Sequence, residues 1–493
     1  MRADALELLA HEWEPEAPPP LHKWRAPALT DEHALYCIGA DPAVVERVTG
    51  WLRAHLQRRL IFLEPRGPVL AHWMRLNGPW LRDPQVELHF LPKRPDSAFW
   101  ARENPFQKIA VAALPSVAPH RAFRRALQEH TLREHMLFVN RLQGARLWRH
   151  TLRNLAHFSR SFLVNNMRDR YRGMPAVIVG AGPSLERDLD VLRQLSSRAL
   201  ILAGGSAIRA LSAHGIAPHF ALALDPNEEE IARVVSQFPT PLLYATRLHP
   251  EVLNRWRGPL GYIRAGMGGM PEAWCEARLG LTCPPLHLHP ESYSVTPVAV
   301  ELAAFFGCSS ATLVGVDLAY TGGRRYAAGV EGPESREPML LTSRDVYGNP
   351  IQTSLQWDLE SRALTAAARR LPLFNASRGL AIPAVPHRPL AIQDFPATWT
   401  FPPLDPPMPP LDTDSLTRAW RAGVERITAH LKVLASDAPL GQKALAEVEL
   451  EEEELYGPIF SEYHHLLPPL MKQTGAQHWE LLLELLESAG YEK

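Results

Sequence analysis

Short apolar runs closed by glycine or by a polar turn recur along the chain, separated by stretches whose apolar positions fall three or four residues apart. Residues 176–179 (Ala-Val-Ile-Val) form one such run, closed by Gly180-Ala181-Gly182, and read as a buried parallel strand. From Leu185 a helix-like pattern carries Leu189, Val191, Leu192 and Leu195. The unit repeats: a strand over 199–202 ends at Gly204-Gly205-Ser206, a helix covers 208–214, and a strand over 220–224 stops at Asp225-Pro226-Asn227. Further strands are predicted over 242–245, 261–264, 312–316 and 373–376, with helices over 298–306 and 355–370. The predicted class is α/β, with a central Rossmann-like open sheet. Polar residues at the carboxyl ends of successive parallel strands are where such a sheet binds its ligand.

On the amino side, strands over 34–38, 60–63 and 86–91 and a helix over 42–56 predict a small α/β domain spanning about 34–115. The stretch 119–172 reads as helical and rich in arginine, including Arg146, Arg149 and Arg153. Glu129, Glu134 and Asp169 are interspersed there, and Leu137, Phe138, Leu142 and Leu147 mark a packed face. A packed helix is therefore the better account than a nucleic-acid footprint. A proline-rich linker, 398–411, is expected to be stiff and extended. Beyond it, 412–493 reads as a separable helical domain whose acidic run, 447–454, is a solvated face. The expected division is 1–150, 151–397, 398–411 and 412–493.

Composition narrows the function classes. Of 493 residues, 46% are hydrophobic and 21% charged, with net charge −1, so no global field draws the chain to nucleic acid or anionic membrane. Four cysteines, Cys37, Cys275, Cys283 and Cys308, lack CxxC spacing; reduced thiols in a cytoplasmic protein are expected, with no zinc site. The first residues are too acidic for a signal peptide, and no uncharged apolar run reaches the roughly 18 residues of a membrane span.

The glycine turn supplies the candidate chemistry. A turn between a buried strand and a helix start can present backbone N–H groups to a phosphate, and glycine lets the backbone approach. Ser184 stands where it could cap that helix or bond a phosphate oxygen, and Ser294 or Thr296 could cap a second helix facing an anion. His249, His287, His289 and His387 lie in the central region, and the sequence singles out none of them as a general base.

Several of these segments resemble the motility accessory factor (Maf) family of flagellin glycosyltransferases. They are 175–185 with its Gly-Ala-Gly-Pro-Ser-Leu turn, 214–226 ending in Asp225-Pro226, Ser294-Val295 with 313–321 (Leu-Val-Gly-Val-Asp-Leu-Ala-Tyr-Thr), and Gly348-Asn349 with 375–379. The resemblance implies a sialyltransferase-like core, a CMP-activated nonulosonic acid donor, a flagellin-like acceptor protein and no cofactor. Carried over by position, Gly180, Ala181, Gly182, Pro183 and Ser184 line the CMP phosphate. Gly205, Ser206 and Asp225 lie near ribose and cytosine, and Ser294 and Thr296 hold the donor phosphate or carboxylate. Asp317 and Tyr320 complete the implied substrate site. Two departures are visible: Ser292-Tyr293-Ser294 stands where the family has Gly-Gly-Ser, and Arg378 stands within its Asn-Ala-Thr-Glu-Gly-Gly turn. A related archaeal branch with the same turn resembles 6-hydroxymethylpterin diphosphokinases, which use ATP and magnesium; Asp225 and Asp317 would then be the metal-holding carboxylates. A non-catalytic flagellar accessory protein is the third reading.

Overall fold

The computed structural model describes residues 13–18, 32–76, 78–95, 109–117, 121–142, 144–288, 294–328, 340–408 and 412–460, with isolated positions 24, 26, 27, 29, 330 and 483. The chain divides into two compact units, Met1–Asn140 and Arg141–Lys493.

The first unit is a four-stranded parallel sheet, β1 (Ala34–Ile38), β2 (Arg59–Glu64), β3 (Val86–Phe90) and β4 (Ile109–Ala113), in the order β3-β2-β1-β4. Helix α1 (Pro42–Arg53) starts at Asp41, whose carboxylate accepts from Ala43 N at 2.8 Å. Among the described residues it also holds helix α2 (Gly67–Leu76) and α3 (Arg121–Leu142) as far as Asn140.

The second unit opens with α4 (Gly144–Leu155) and β5 (Ser161–Leu163), and continues through β6 (Pro175–Val179), α5 (Leu189–Gln194), β7 (Leu200–Gly204) and α6 (Ser206–Ala213). Next come β8 (Phe220–Ala223), α7 (Glu229–Arg233), β9 (Leu242–Tyr244), α8 (Pro250–Arg255), β10 (Leu260–Tyr262) and α9 (Gly269–Arg278). Helix α10 (Val295–Phe305), β11 (Ser310–Val314), the hairpin β12 (Leu340–Arg344) and β13 (Pro350–Ser354), α11 (Leu355–Ala367) and β14 (Leu373–Asn375) follow. The eight-stranded sheet has the order β14-β11-β6-β7-β8-β9-β10-β5, with every pairing parallel.

Period-two alternation divides each strand between two cores. Val177, Val179, Ile201 and Ala203 face one core cluster, whereas Ala176, Ile178, Leu200 and Leu202 face the other. Burial on both faces is what makes these strands read as continuous apolar runs.

Three expectations change. Ser161–Leu163, inside the stretch expected to be helical, is a strand at the sheet edge, paired with β10. The segment expected to lead straight from the glycine turn into an α-helix is a 3-10 turn, Pro183–Arg187, followed by the short α5, and Ser184 caps no helix. Within the expected linker, residues 399–408 run along the amino ends of the strands. Trp399 N donates to Ser197 O at 2.9 Å, Met408 N to Ser161 O at 2.7 Å, and Phe401 stacks on His219 at 4.0 Å.

Helices α12 (Thr413–Ala435), α13 (Leu440–Glu452) and α14 (Tyr456–Phe460) share the first core cluster of the sheet. Trp420 meets Trp274 of α9 edge-on, with ring centroids 6.1 Å apart. Both these helices and the eight-stranded sheet fall within the unit Arg141–Lys493. Glu447, Glu449, Glu451 and Glu452 do lie on an exposed face, and all four cysteines are free.

Candidate functional site

Strands β6 and β11 run side by side, Val179 opposite Val314, and the chain leaves them toward opposite halves of the sheet. This is the reversal of strand order at which open α/β sheets bind ligands. Gly180 N donates to Val314 O at 2.8 Å and Gly182 N to Gly315 O at 2.7 Å. A Cβ at Gly180 would stand 2.5 Å from Gly315 O, and one at Gly182 would stand 2.6 Å from Asp317 Cγ. The two glycines thus serve the close approach of two strand ends.

Asp317 is buried and accepts from Ser184 N at 3.0 Å and from the Ser184 hydroxyl. Burial raises the Asp317 carboxyl above its usual range despite these bonds. Burial, then the charge of Asp317, pushes Asp188 up to about 6. Pro183 is buried beside Ser184. Ala181 is partly exposed, its carbonyl accepts from Ala327 N at 2.8 Å, and its own N–H has no partner among the described residues.

A second group joins β7 to α10. A Cβ on Gly204 would lie 2.4 Å from Val295 Cγ2, so the start of α10 rests directly on the carboxyl end of β7. Gly205 has φ +51° and Ser206 begins α6 beside it. Ser294 caps α10, accepting from Thr296 N at 3.3 Å, and its hydroxyl donates to Glu360 Oε1 at 2.7 Å. Glu360 is buried on α11; burial pushes its carboxyl up to about 7, although Ser294 and Thr296 hydrogen bonds favour the ionised form. One turn earlier on α11, Trp357 packs against the Tyr320 ring at 5.1 Å; the buried Tyr320 hydroxyl has no partner among the described residues.

The third group lies at the ends of β8 and β9. Asp225 accepts from Asn227 N at 2.9 Å, and its carbonyl accepts from His249 N at 3.2 Å. Buried Glu230 is pushed up to about 8, first by burial and then by the charge of Asp225.

The structure thus unites Ser184 with Asp317 and seats Val295, between Ser294 and Thr296, against Gly204 and Gly205 just before Ser206, while Asp225 belongs to a different strand end. His249 starts α8, its Nδ1 accepting from Glu251 N at 3.3 Å, and His387 Nδ1 lies 2.8 Å from Asn375 O. His287 is exposed, and His289 and Tyr293 lie outside the described residues. Glu360, Glu230 and Asp188 escape sequence reasoning, because each sits in a helical pattern that hides its burial.

Residues 149–323 match the family model described as 6-hydroxymethylpterin diphosphokinase MptE-like. The chain is also similar to the solved structure of MAf glycosyltransferase from Magnetospirillum magneticum AMB-1. The identity is 16% and the TM-score 0.45, over 99% of this chain and 86% of that one. No curated protein sequence matches.

Proposed function

We propose that the second unit is a glycosyltransferase that moves a nonulosonic acid from a CMP-activated donor to a Ser or Thr hydroxyl of flagellin or a similar protein. The observation that carries this reading is the seating of the α10 start on Gly204, which sets two helix N-termini, α6 and α10, against each other beside the strand reversal. The α6 start, with the Ser206 hydroxyl, suits the charge that builds on one departing phosphate, whereas the Ser294 and Thr296 side chains hold Glu360 and Thr296 N is bonded to Ser294. Glu360, tied to Ser294, has a proton affinity near neutrality, as general acid–base work requires. Ser184 acts differently from the motif-based expectation: its N–H and hydroxyl hold Asp317, while Ala181 N–H has no partner among the described residues.

The match over 149–323 favours a second reading, an ATP- and magnesium-dependent diphosphokinase. It needs carboxylates gathered on one ion. Asp317 follows β11 and has both oxygens bonded by Ser184, whereas Asp225 follows β8, with β6 and β7 between them. That arrangement does not fit a shared ion without repacking, so the transferase reading is preferred.

Calorimetric titration with CMP and with ATP plus magnesium, followed by a mass-shift assay of acceptor protein, tests the choice. CMP binding that persists in EDTA, with transfer to the acceptor, is expected. Preference for ATP with strict magnesium dependence would reject the transferase. CMP binding without any transfer would favour the accessory-protein reading.

A further inference from the structure

Helix α4 carries Arg146, Arg149, His150 and Arg153 at spacings that place them on one stripe. His150 fixes where the stripe lies: its Nδ1 is 3.3 Å from Arg247 O, and its ring meets His249 edge-on at 5.0 Å. The stripe therefore lies over the end of β9 and the start of α8. Arg146 extends it to β8, donating from Nη2 to Asn227 Oδ1 at 2.7 Å. Arg153 is close enough for its charge to act on both histidine rings.

Among the described residues, no carboxylate pairs with Arg146, Arg149 or Arg153. The Nε–H groups of Arg146 and Arg149 are buried with no acceptor among the described residues. Buried charged donors left unpaired are costly, and two of them on one stripe mark a place built for an acceptor. None of the neighbouring acids forms an ion pair with them among the described residues. Glu251 is engaged by Arg255 and Asn254, each at 3.3 Å, Asp225 keeps its charge but accepts from Asn227 N, and burial pushes Glu230 up to about 8. Exposed Glu228 is left as the one acid whose charge reaches His249 without such engagement among the described residues. Burial, reinforced by the arginine charges, keeps both histidines neutral at pH 7.

We propose that this stripe binds the oxyanion of a small acidic ligand, a phosphate ester or a sugar carboxylate, through the guanidinium groups of Arg146, Arg149 and Arg153. The planar fork of arginine matches two oxygens of either group. This site goes beyond the transfer reading, since none of the three arginines belongs to the motif segments, and it holds whichever group is transferred.

Titrating the full chain with CMP, cytidine, inorganic phosphate and N-acetylneuraminate tests it. The wild type and the Arg146→Gln, Arg149→Gln and Arg153→Gln variants are compared, with circular dichroism checking the fold. At least about tenfold weaker binding in each variant, of CMP and phosphate or of N-acetylneuraminate, supports the site and names the source of the oxyanion. Arg→Lys variants, which keep the charge, should recover part of the affinity and bind more weakly as salt rises. Unchanged affinity for every probe in the folded Gln variants overturns the proposal. Tighter, arginine-dependent binding of a single-stranded oligonucleotide overturns it as well. Absence of transfer by the wild type, with arginine-dependent oxyanion binding present, would reject the transferase reading alone.

Discussion

Asp317 accepts from both the backbone N–H and the hydroxyl of Ser184, so one carboxylate fastens the ends of two parallel strands where the sheet reverses its order. Asparagine at this position would accept from one donor and turn its amide toward the other. Asp317→Asn is expected to lower stability by about 2–3 kcal/mol, and Ser184→Ala by about 1–2 kcal/mol, in denaturant unfolding. Equal midpoints for all three proteins would show that the contact contributes nothing.

Gly204 makes a steric prediction. Its missing side chain is the space into which Val295 fits. Gly204→Ala is expected to push the start of α10 away, costing roughly 1–3 kcal/mol and weakening CMP binding. Truncating the neighbour with Val295→Ala should recover part of both losses. If the second substitution makes no difference, the Gly204–Val295 contact does not set the geometry.

Glu360 predicts a pH dependence. Its folded-state proton affinity, about 7, lies above the ordinary 4.5, so its contribution to stability is complete below about pH 4.5 and lost as pH rises to about 7. The shift corresponds to about 3 kcal/mol across that window. Glu360→Gln is expected to flatten this part of the stability profile and to be more stable than the wild type at pH 8, provided the Ser294 hydrogen bond is kept. Parallel profiles of the two proteins from pH 5 to 8 would refute the assignment.

Truncation after Asp405 is expected to do more than remove a peripheral piece. Met408, Leu416, Trp420, Ile427 and Leu431 belong to the same core as Val177, Ile201 and Trp274. Their loss should abolish cooperative unfolding of the second unit and expose enough apolar surface to bind a hydrophobic dye. A truncated chain that unfolds cooperatively at the full-length midpoint would restore the idea of a separable helical domain.

Much of the sheet was legible because burial on both faces concentrates β-branched and apolar residues into runs such as 175–179 and 310–314. Glycine and aspartate punctuation put the ends of these strands within a few residues. Ser161–Leu163 was not legible: three residues are too few to show a period, and its partner, Leu260–Tyr262, is far away in sequence. In the site, Ser184, Asp317, Ser294 and Thr296 were named from motif order, but not the bond that consumes the Ser184 hydroxyl. Glu360 and the arginine stripe were hidden for a related reason, since a charged residue in a helix reads as solvated until the packing around it is known. The residues that hold Trp399 and Met408, Ser197 and Ser161, lie more than 100 positions earlier, beyond any local signal.

The edge-on contact between Trp274 and Trp420 also sets an order of events during synthesis. The described strands of the first unit are complete by Ala113, and the unit ends at Asn140, so it can form early in synthesis. The second cannot cover the apolar side of α9 until the segment carrying Trp420 has been made. At roughly 5–20 residues per second, the nascent chain carries that uncovered surface for on the order of ten seconds, the interval in which a chaperone would have most to protect.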